Sequence, residues 1–509
     1  MRVPLTVRDF LDRATLVYGD RCGIVDEPDQ PAQPLGPLTY RDVGKLAAAQ
    51  AAALDALGVG FGERVAIVSP NAARLLVALF GVSGWGRILV PVNFRLNAEE
   101  IAYIVEHSGA TALLVDPELD EHLQGVDAQH RFVLGADSDE VLYRRDAEPR
   151  PWEPDEDATA TINYTSGTTA RPKGVQLTHR NVWLNAAVFG WQLGVNDRDV
   201  YLHTLPMFHC NGWGMPYAVT GMGGRHIVLR KVDGAEILRR IDEHGVTALN
   251  GAPTVINMVL DAARDWPGDI PGRGRVRVTV AGAPPPTQTI ERIETELGWE
   301  FVQIYGLTET APLLTMNRAR AELDDLGPSE RAARLSRAGA PTLGVRVCVD
   351  DEGEVLARGN VIMDGYWAQP EETARALDGG WFHTGDGGTI DDENYVVISD
   401  RKKDVIISGG ENVSSIEVED CLFSHAAVAE VAVIGVPDER WGETVKALVV
   451  LADGATVTEG ELIDHCRVHL AHYKCPTSVE FRDELARTAT GKLQKFKLRA
   501  PYWTEQAVR

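Results

Sequence analysis

The segment RVAIV, residues 64–68, opens a pattern that confines the chain to few folds. This apolar run is too short for a helix, and a stretch of helical length, NAARLLVALFGVSGWG, follows it. Two more apolar runs come next, ILVPVN and TALLVD. The alternation returns at HIVLR (226–230), AEILRRIDEHG and VTALNGAP, and again at RVRVTVAGAPPP, TQTIERIETELG and EFVQIYG. Strands buried on both faces and separated by helices pack as parallel α/β sheets. Residues 1–400 therefore read as one large α/β body, with no fixed-period repeat of the solenoid kind.

The character changes after about residue 340. GVRVCVDDEGEVLARG and TGDGGTIDDENYVVISDRKKDVIISGG alternate short strands with acidic glycine turns, the pattern of an antiparallel β subdomain. From residue 415 the chain reads as a small α+β unit. SIEVEDCLFSH has helical character, and VAEVAVIGV, VKALVVLAD and VEFRDEL read as strands. TEGELIDHCRVHL opens with Thr458 three residues before Glu461, a capping-box spacing, and places Leu462, Ile463, Cys466 and Leu470 on one helical face. The polar stretch SDRKKD, 399–404, is the expected linker, dividing residues 1–400 from residues 401–509.

Charge narrows the partners. Lysine and arginine number 50 against 74 aspartates and glutamates, a formal net charge of −24. Such a surface repels nucleic acid and anionic membranes, so an anionic ligand needs a local cationic site. Six scattered cysteines without a CxxC pair indicate free thiols in a reducing compartment. No apolar run has the length of a membrane span, and the N-terminus lacks a signal-peptide core, so a cytoplasmic location is expected.

YTSGTTARPKG, 164–174, is the cationic site the charge argument asks for. Gly167 frees the backbone for close approach, Thr165, Ser166, Thr168 and Thr169 supply hydroxyls, and Lys173 supplies a charge. Clustered donors with a cation make an anion nest suited to a phosphate chain, although an ordinary Ser/Thr-rich surface loop has the same composition. It is not a Walker A loop, because Pro172 precedes Lys173 and Gly174 follows it; GxSxG, HExxH and a complete GxGxxG are also missing. FVQIYGLTETAP offers Tyr305 to stack on a base, Thr308 as a donor and Glu309 as a hard oxygen ligand for magnesium. WFHTGD places Asp386 after a glycine, suited to ribose hydroxyls. SDRKKDVIISGGENVS runs a basic linker into a glycine pair, and LARTATGKLQKFKLR presents Lys492 after Gly491 on a turn.

With these five segments in this order, the chain resembles the adenylate-forming superfamily of acyl-CoA synthetases, luciferases and non-ribosomal adenylation domains. The resemblance runs from the strands near residue 65 to Leu498. It implies two half-reactions: a carboxylate attacks the α-phosphate of ATP and releases pyrophosphate, and a thiol, usually of coenzyme A, then displaces AMP. It assigns Thr165, Ser166, Gly167, Thr168, Thr169 and Lys173 to the β- and γ-phosphates, with Ala170 replacing a frequent glycine. It assigns Gly282, Ala283, Pro284 and Tyr305 to the adenine, Thr308 to the α-phosphate, Glu309 to magnesium, and Asp386 and Arg401 to the ribose. Lys492 would bridge the attacking carboxylate and the α-phosphate, where negative charge gathers. Ala486 replaces a frequent proline nearby. The resemblance further implies a small C-terminal domain that rotates about Lys403, withdrawing Lys492 and bringing Gly409 and Gly410 to the thiol tunnel.

LPMFHCNGWGMPY, 205–217, lacks the aspartate with which amino-acid-activating relatives hold an α-ammonium, so α-amino acids are not expected. His209 matches the gating aromatic beside the tunnel, and Asn211, Trp213, Met215 and Ile304 fall at acyl-pocket positions. Ile304 stands where many long-chain and aryl relatives carry glycine, which favours short or medium, branched or aryl acids. The expected enzyme is thus an AMP-forming acyl-CoA synthetase using ATP, Mg2+ and coenzyme A. Two other readings remain: a long-chain acyl-CoA synthetase, and a fatty acyl-AMP ligase that loads an acyl carrier protein. The second usually carries an insertion in the large domain, and none is evident between Pro312 and Gly359. A non-catalytic descendant is opposed by intact Glu309, Asp386, Arg401 and Lys492. A homodimer is one assembly the resemblance allows.

Overall fold

The structure is a computed structural model that describes residues 1–144, 148–165, 171–282, 285–401, 404–408, 411–438, 441–488 and 492–503, without the side chains of Asp400, Arg401 and Asn412. Among these residues the strands form four sheets. The sequence pattern led to parallel α/β structure but did not divide it; the structure splits it into two sheets with parallel centres, antiparallel at both edges of the larger and at one edge of the smaller.

The nine-stranded sheet runs Ala340–Pro341, Leu313–Arg318, Glu300–Gly306, Arg277–Val280, Ala248–Gly251, Val200–His203, Arg225–Val228, Cys22–Val25, Pro37–Thr39. Its central pairs, from Glu300–Gly306 to Cys22–Val25, are parallel. The seven-stranded sheet runs Gly365–Tyr366, Lys173–Thr178, Thr159–Thr165, Ile88–Val92, Arg64–Val68, Ala110–Val115, His130–Val133. Its edge comes from far downstream: Gly365 and Tyr366 pair antiparallel with Gln176 and Val175.

One apolar cluster joins the facing sides of both sheets. Val65, Ile67, Leu89, Ala160 and Val175 of the smaller sheet and Tyr201, Val228, Ala248, Val302 and Ile304 of the larger belong to it. Helices Tyr40–Ala56, Ala73–Gly81, His179–Leu193 and Met215–Met222 contribute to the same cluster. All nine residues of Ala73–Gly81 are buried; eight are apolar or glycine, and the ninth, Arg74, is paired with Asp139 at 2.5 Å, as a buried charge requires. The opposite face of the nine-stranded sheet packs Leu249, Val278 and Phe301 against helices Gly234–His244 and Pro253–Arg264.

Strands Val345–Val349, Glu354–Gly359, Phe382–Ile390 and Val396–Arg401 form an antiparallel sheet, as the acidic glycine turns suggested. The expected linker is partly strand, because Val396–Arg401 pairs as far as Arg401 with Asp386. The five-stranded last sheet holds Glu411–Val413, Ile406–Ser408, Gly442–Leu451, Val428–Asp438 and Ser478–Phe481. Helix Glu459–His469 packs on it through Leu462 and Cys466, and its capping box between Thr458 and Glu461 is formed. Asp420 of this C-terminal unit accepts from the backbone N–H of Thr287 (2.9 Å) and its hydroxyl (2.8 Å), tying it to the large body.

Candidate active site

The two ends of the segment YTSGTTARPKG lie on paired strands. Strand Thr159–Thr165 pairs antiparallel with Lys173–Thr178, and Thr165 lies opposite Lys173. Ser166, Gly167, Thr168 and Thr169 lie outside the described residues. The Lys173 ammonium pairs with Glu372 and sits 5.0 Å over the Tyr366 ring. Burial lowers its pKa, aided by nearby Arg375 and opposed by Glu309. The Tyr366 hydroxyl donates to Glu309 Oε1 at 2.9 Å, and Met363 N–H donates to the Glu309 carbonyl at 2.8 Å. Lys173, Glu309, Tyr366 and Glu372 thus form one cluster. The sequence reading missed Tyr366 and Glu372; the available signal was an aromatic pair after glycine, GYW, just before the acidic helix start PEET.

Glu309 owes its place to a tight exit from strand Glu300–Gly306. The strand leads into the 3₁₀ turn Thr308–Thr310, which the Thr310 hydroxyl closes by accepting from Leu307 N–H at 2.9 Å. Gly306 is required by close approach, since a Cβ there would lie 1.6 Å from the Pro312 carbonyl oxygen. Beside this turn, the Tyr305 hydroxyl donates to Asp386 Oδ2 at 2.8 Å. Asp386 is buried and lies in register with Arg401 on the next strand. Gly282, two residues past the neighbouring strand Arg277–Val280, has φ +94°; Ala283 and Pro284 lie outside the described residues.

The stretch after His209 has an unusual backbone. Cys210, Asn211, Gly212, Trp213 and Gly214 all have positive φ, at 46°, 53°, 61°, 59° and 82°. A left-handed conformation costs an L-residue about 1–2 kcal/mol, so three non-glycine residues there need fastening. The Asn211 amide supplies it, donating to Thr161 Oγ1 at 3.0 Å and accepting from Asn163 Nδ2 at 3.2 Å. The Asn185 amide adds a second clamp, donating to the Trp213 carbonyl and accepting from Leu313 N–H, each at 3.1 Å. Gly214 must stay small, because a Cβ would meet Asn185 Nδ2 at 2.5 Å. Asn211, named from sequence as an acyl-pocket residue, thus spends its amide on holding the turn. Trp213, Met215 and Ile304 are buried together in the apolar cluster between the sheets.

Lys492 closes a turn in which Thr488 N–H donates to the Lys492 carbonyl (2.6 Å) and Lys492 N–H donates to Thr488 Oγ1 (3.0 Å). Its positive charge is felt at His209. Burial and that charge push the His209 pKa down to about 4, so the imidazole is neutral at pH 7. Burial and then the Glu309 charge raise the Cys210 thiol, which remains protonated. Cys210 Sγ lies 3.9 Å from the Thr308 carbonyl, so the stretch after His209 abuts the turn that carries Glu309. Lys403, Gly409, Gly410 and the Arg401 side chain lie outside the described residues.

Glu309 follows the carboxyl end of strand Glu300–Gly306, and Lys173 lies opposite Thr165 at the carboxyl end of strand Thr159–Thr165, the strand ends at which parallel α/β sheets bind ligands. Residues 17–367 match the AMP-binding enzyme family and residues 417–492 match the AMP-binding enzyme C-terminal domain, and the chain belongs to this adenylate-forming family. Within it the protein is an acyl-CoA ligase, which activates a carboxylic acid with ATP and passes the acyl group to coenzyme A. It is similar to a 2-methylpropanoate–CoA ligase of Humulus lupulus, 38% identical, with 97% of this chain and 95% of the relative covered. It is 37% identical to a 4-hydroxybutyrate–CoA ligase of Metallosphaera sedula, covering 97% of this chain and 94% of the relative. Among solved structures, an anthranilate CoA ligase in complex with anthranoyl-AMP superposes with a TM-score of 0.88 at 27% identity, 100% of both chains being covered. The o-succinylbenzoate CoA synthetase of Bacillus subtilis with its acyl-adenylate gives 0.82 at 29% identity, covering 96% of this chain and 98% of that one. Among the described residues no helix is long and apolar enough to cross a membrane.

Proposed function

We propose that the enzyme adenylates a short or medium, branched or aryl acid, and that Lys492 acts in that half-reaction alone. The observation that carries the reading is geometric: Lys173, Tyr366 and Glu309 form one cluster at the Thr308–Thr310 turn, with Tyr305 bonded to Asp386 beside it. The carboxylate attacks the α-phosphorus, and pyrophosphate leaves in line. Such a displacement needs charge neutralisation and positioning more than proton transfer. Thr165, Lys173 and the loop 166–169 hold the β- and γ-phosphates. Tyr305, with Gly282, Ala283 and Pro284, takes the adenine, and Asp386 and Arg401 take the ribose. Thr308 contacts the α-phosphate, and Lys492 brings the two anions together. Because His209 stays neutral, Lys492 brings the positive charge to the carboxylate without a second cation at the histidine.

Glu309 suits magnesium. Among the described residues no group of three or more His, Cys, Asp or Glu could hold a metal. A lone carboxylate sharing the ion with phosphate oxygens is the way magnesium is usually held beside nucleotides. Bound there, the ion would neutralise phosphate charge.

For the second half-reaction the domain 401–509 rotates about Lys403 against the domain 1–400. Lys492 leaves, and Gly409 and Gly410 approach the thiol tunnel beside His209. The coenzyme A thiol attacks the acyl carbonyl, and AMP leaves with the bonding pair. Relatives acting on 2-methylpropanoate and 4-hydroxybutyrate support a small acid, as does the buried Ile304. Six free cysteines support a reducing, cytoplasmic setting. The test supplies ATP, magnesium, coenzyme A and acids from acetate to palmitate, with branched and aryl members, and reads products by mass spectrometry. Thioester from a short, branched or aryl acid supports the proposal. Thioester only from long acids rejects the acid class, and adenylate without thioester points to a carrier-protein acceptor.

A further inference from the structure

Asn250 and Thr279 are an orphaned polar pair on the sheet face that bears the apolar cluster of Trp213, Met215 and Ile304. They are partners in register on the parallel strands Ala248–Gly251 and Arg277–Val280, so both project from one face of the nine-stranded sheet. Ala248 and Val302 on that face belong to the cluster containing Trp213, Met215 and Ile304, whereas Leu249, Val278 and Val280 face the opposite core. Both side chains are fully buried. The amide nitrogen and oxygen of Asn250 and the hydroxyl of Thr279 all lack a hydrogen-bond partner. Nearly all buried polar groups are paired, and three unpaired atoms side by side in an apolar wall need a reason.

Their depth supplies one. Tyr305 and Gly282 mark the nucleotide end of the sheet. Val280 is in register with Gln303, so Ala281 and Ile304 stand one level above that pair and one level below Gly282 and Tyr305. Thr279 is in register with Val302, two residues below Ile304, or roughly 7 Å further from the nucleotide. An acid lying with its carboxylate at the α-phosphate would run past Ile304 and end at Asn250 and Thr279. His203, which ends the next strand, is occupied, its Nε2 bonded to His226 Nδ1 at 3.0 Å. Surrounded by Ala248, Val302 and Tyr201, a charged terminus would have no counter-ion, but a neutral group that donates and accepts would satisfy both side chains.

We propose that Asn250 and Thr279 form a polar floor to the acyl pocket and select short acids that end in a neutral hydroxyl or carbonyl group. This rests on the ligase reading above. The test compares acids matched atom for atom, 4-hydroxybutyrate with pentanoate and 6-hydroxyhexanoate with heptanoate, by ATP–pyrophosphate exchange. Wild type is set against Asn250→Leu and the nearly isosteric Thr279→Val, with thermal melting to show that each folds. A site with buried groups left unpaired by the wrong substrate discriminates strongly, so wild type should favour the hydroxy acid of at least one pair about tenfold or more in kcat/KM. Each variant should cut that ratio about tenfold, with Asn250→Leu also raising the rate on the methyl acid. If Asn250→Leu does not fold, Thr279→Val decides. A ratio near one in wild type, or one unchanged in the folded variants, overturns the polar floor and leaves the pair to bound water. No exchange with any acid tested would instead overturn the ligase reading, and the polar floor with it.

Discussion

The Tyr305 hydroxyl donates to Asp386 Oδ2 at 2.8 Å, joining the residue proposed to stack on the adenine to the carboxylate proposed to take the ribose. The two sit in different sheets, so the bond fixes the end of one sheet relative to the other. Tyr305→Phe keeps the ring for stacking and removes the bond. A hydrogen bond to a charged group contributes about 1.5–3 kcal/mol, so the KM for ATP should rise about tenfold or more while kcat changes little. Steady-state kinetics with varied ATP measure this. An unchanged KM would mean that Asp386 holds its position without the tyrosine.

Lys492→Ala should separate the half-reactions. Loss of one well-placed charge at a developing anion costs about a hundredfold or more, so ATP–pyrophosphate exchange should collapse. Thioester formation from a supplied acyl-adenylate should stay within a few-fold of wild type in single-turnover assays. Equal losses in both steps would reject the division of labour.

Ile304→Gly should lengthen the preferred acid. Ile304 is 3% exposed and packs in the cluster with Trp213 and Met215. Each extra methylene buried in the space released contributes about 0.8 kcal/mol, or about fourfold in kcat/KM. A series of straight-chain acids reads the shift, and an unchanged optimum removes Ile304 as the limit.

Acid should destabilise the fold before carboxylates titrate. Burial lowers the pKa of His179 to about 4 and of His226 to about 3, and holds His203 well below its ordinary value. His209, at about 4, adds a fourth neutral imidazole. The unfolded chain takes up these protons near pH 6.5, so their contribution is complete above that pH and is lost progressively as pH falls from about 6.5 towards 4. Melting temperatures across this range should fall steeply, and His226→Gln should flatten the slope. A flat wild-type profile between pH 6.5 and 5 would contradict the buried neutral state.

Much of this was legible in the sequence where the signal is local. The alternation from RVAIV onward marked the strands, and the Thr458–Glu461 spacing gave a capping box that forms. The division into two sheets was not legible, because pairing order between distant strands leaves no trace in periodicity. The motif residues Tyr305, Glu309, Asp386 and Lys492 stood out by chemistry, but their partners did not. Tyr366 reaches Glu309 across 57 residues, and Glu372 reaches Lys173 across 199. Asn211 was read as lining a pocket, yet its hydrogen bonds to Thr161 and Asn163 depend on a left-handed turn that neighbouring residue types do not announce. Asn250 lay unremarked in VTALNGAP, since only the absence of a partner distinguishes it.

The dipeptide Gly365–Tyr366 closes the edge of the seven-stranded sheet and also supplies the hydroxyl that holds Glu309. Seen from the ribosome, this sets an order of events. Strand Lys173–Thr178 emerges almost two hundred residues before its outer neighbour, and during that interval its free backbone edge is open to other nascent chains. Chains released before Tyr366 should carry both a bare strand edge and an unsupported Glu309, so abortive translation products would be sticky and inactive for the same reason.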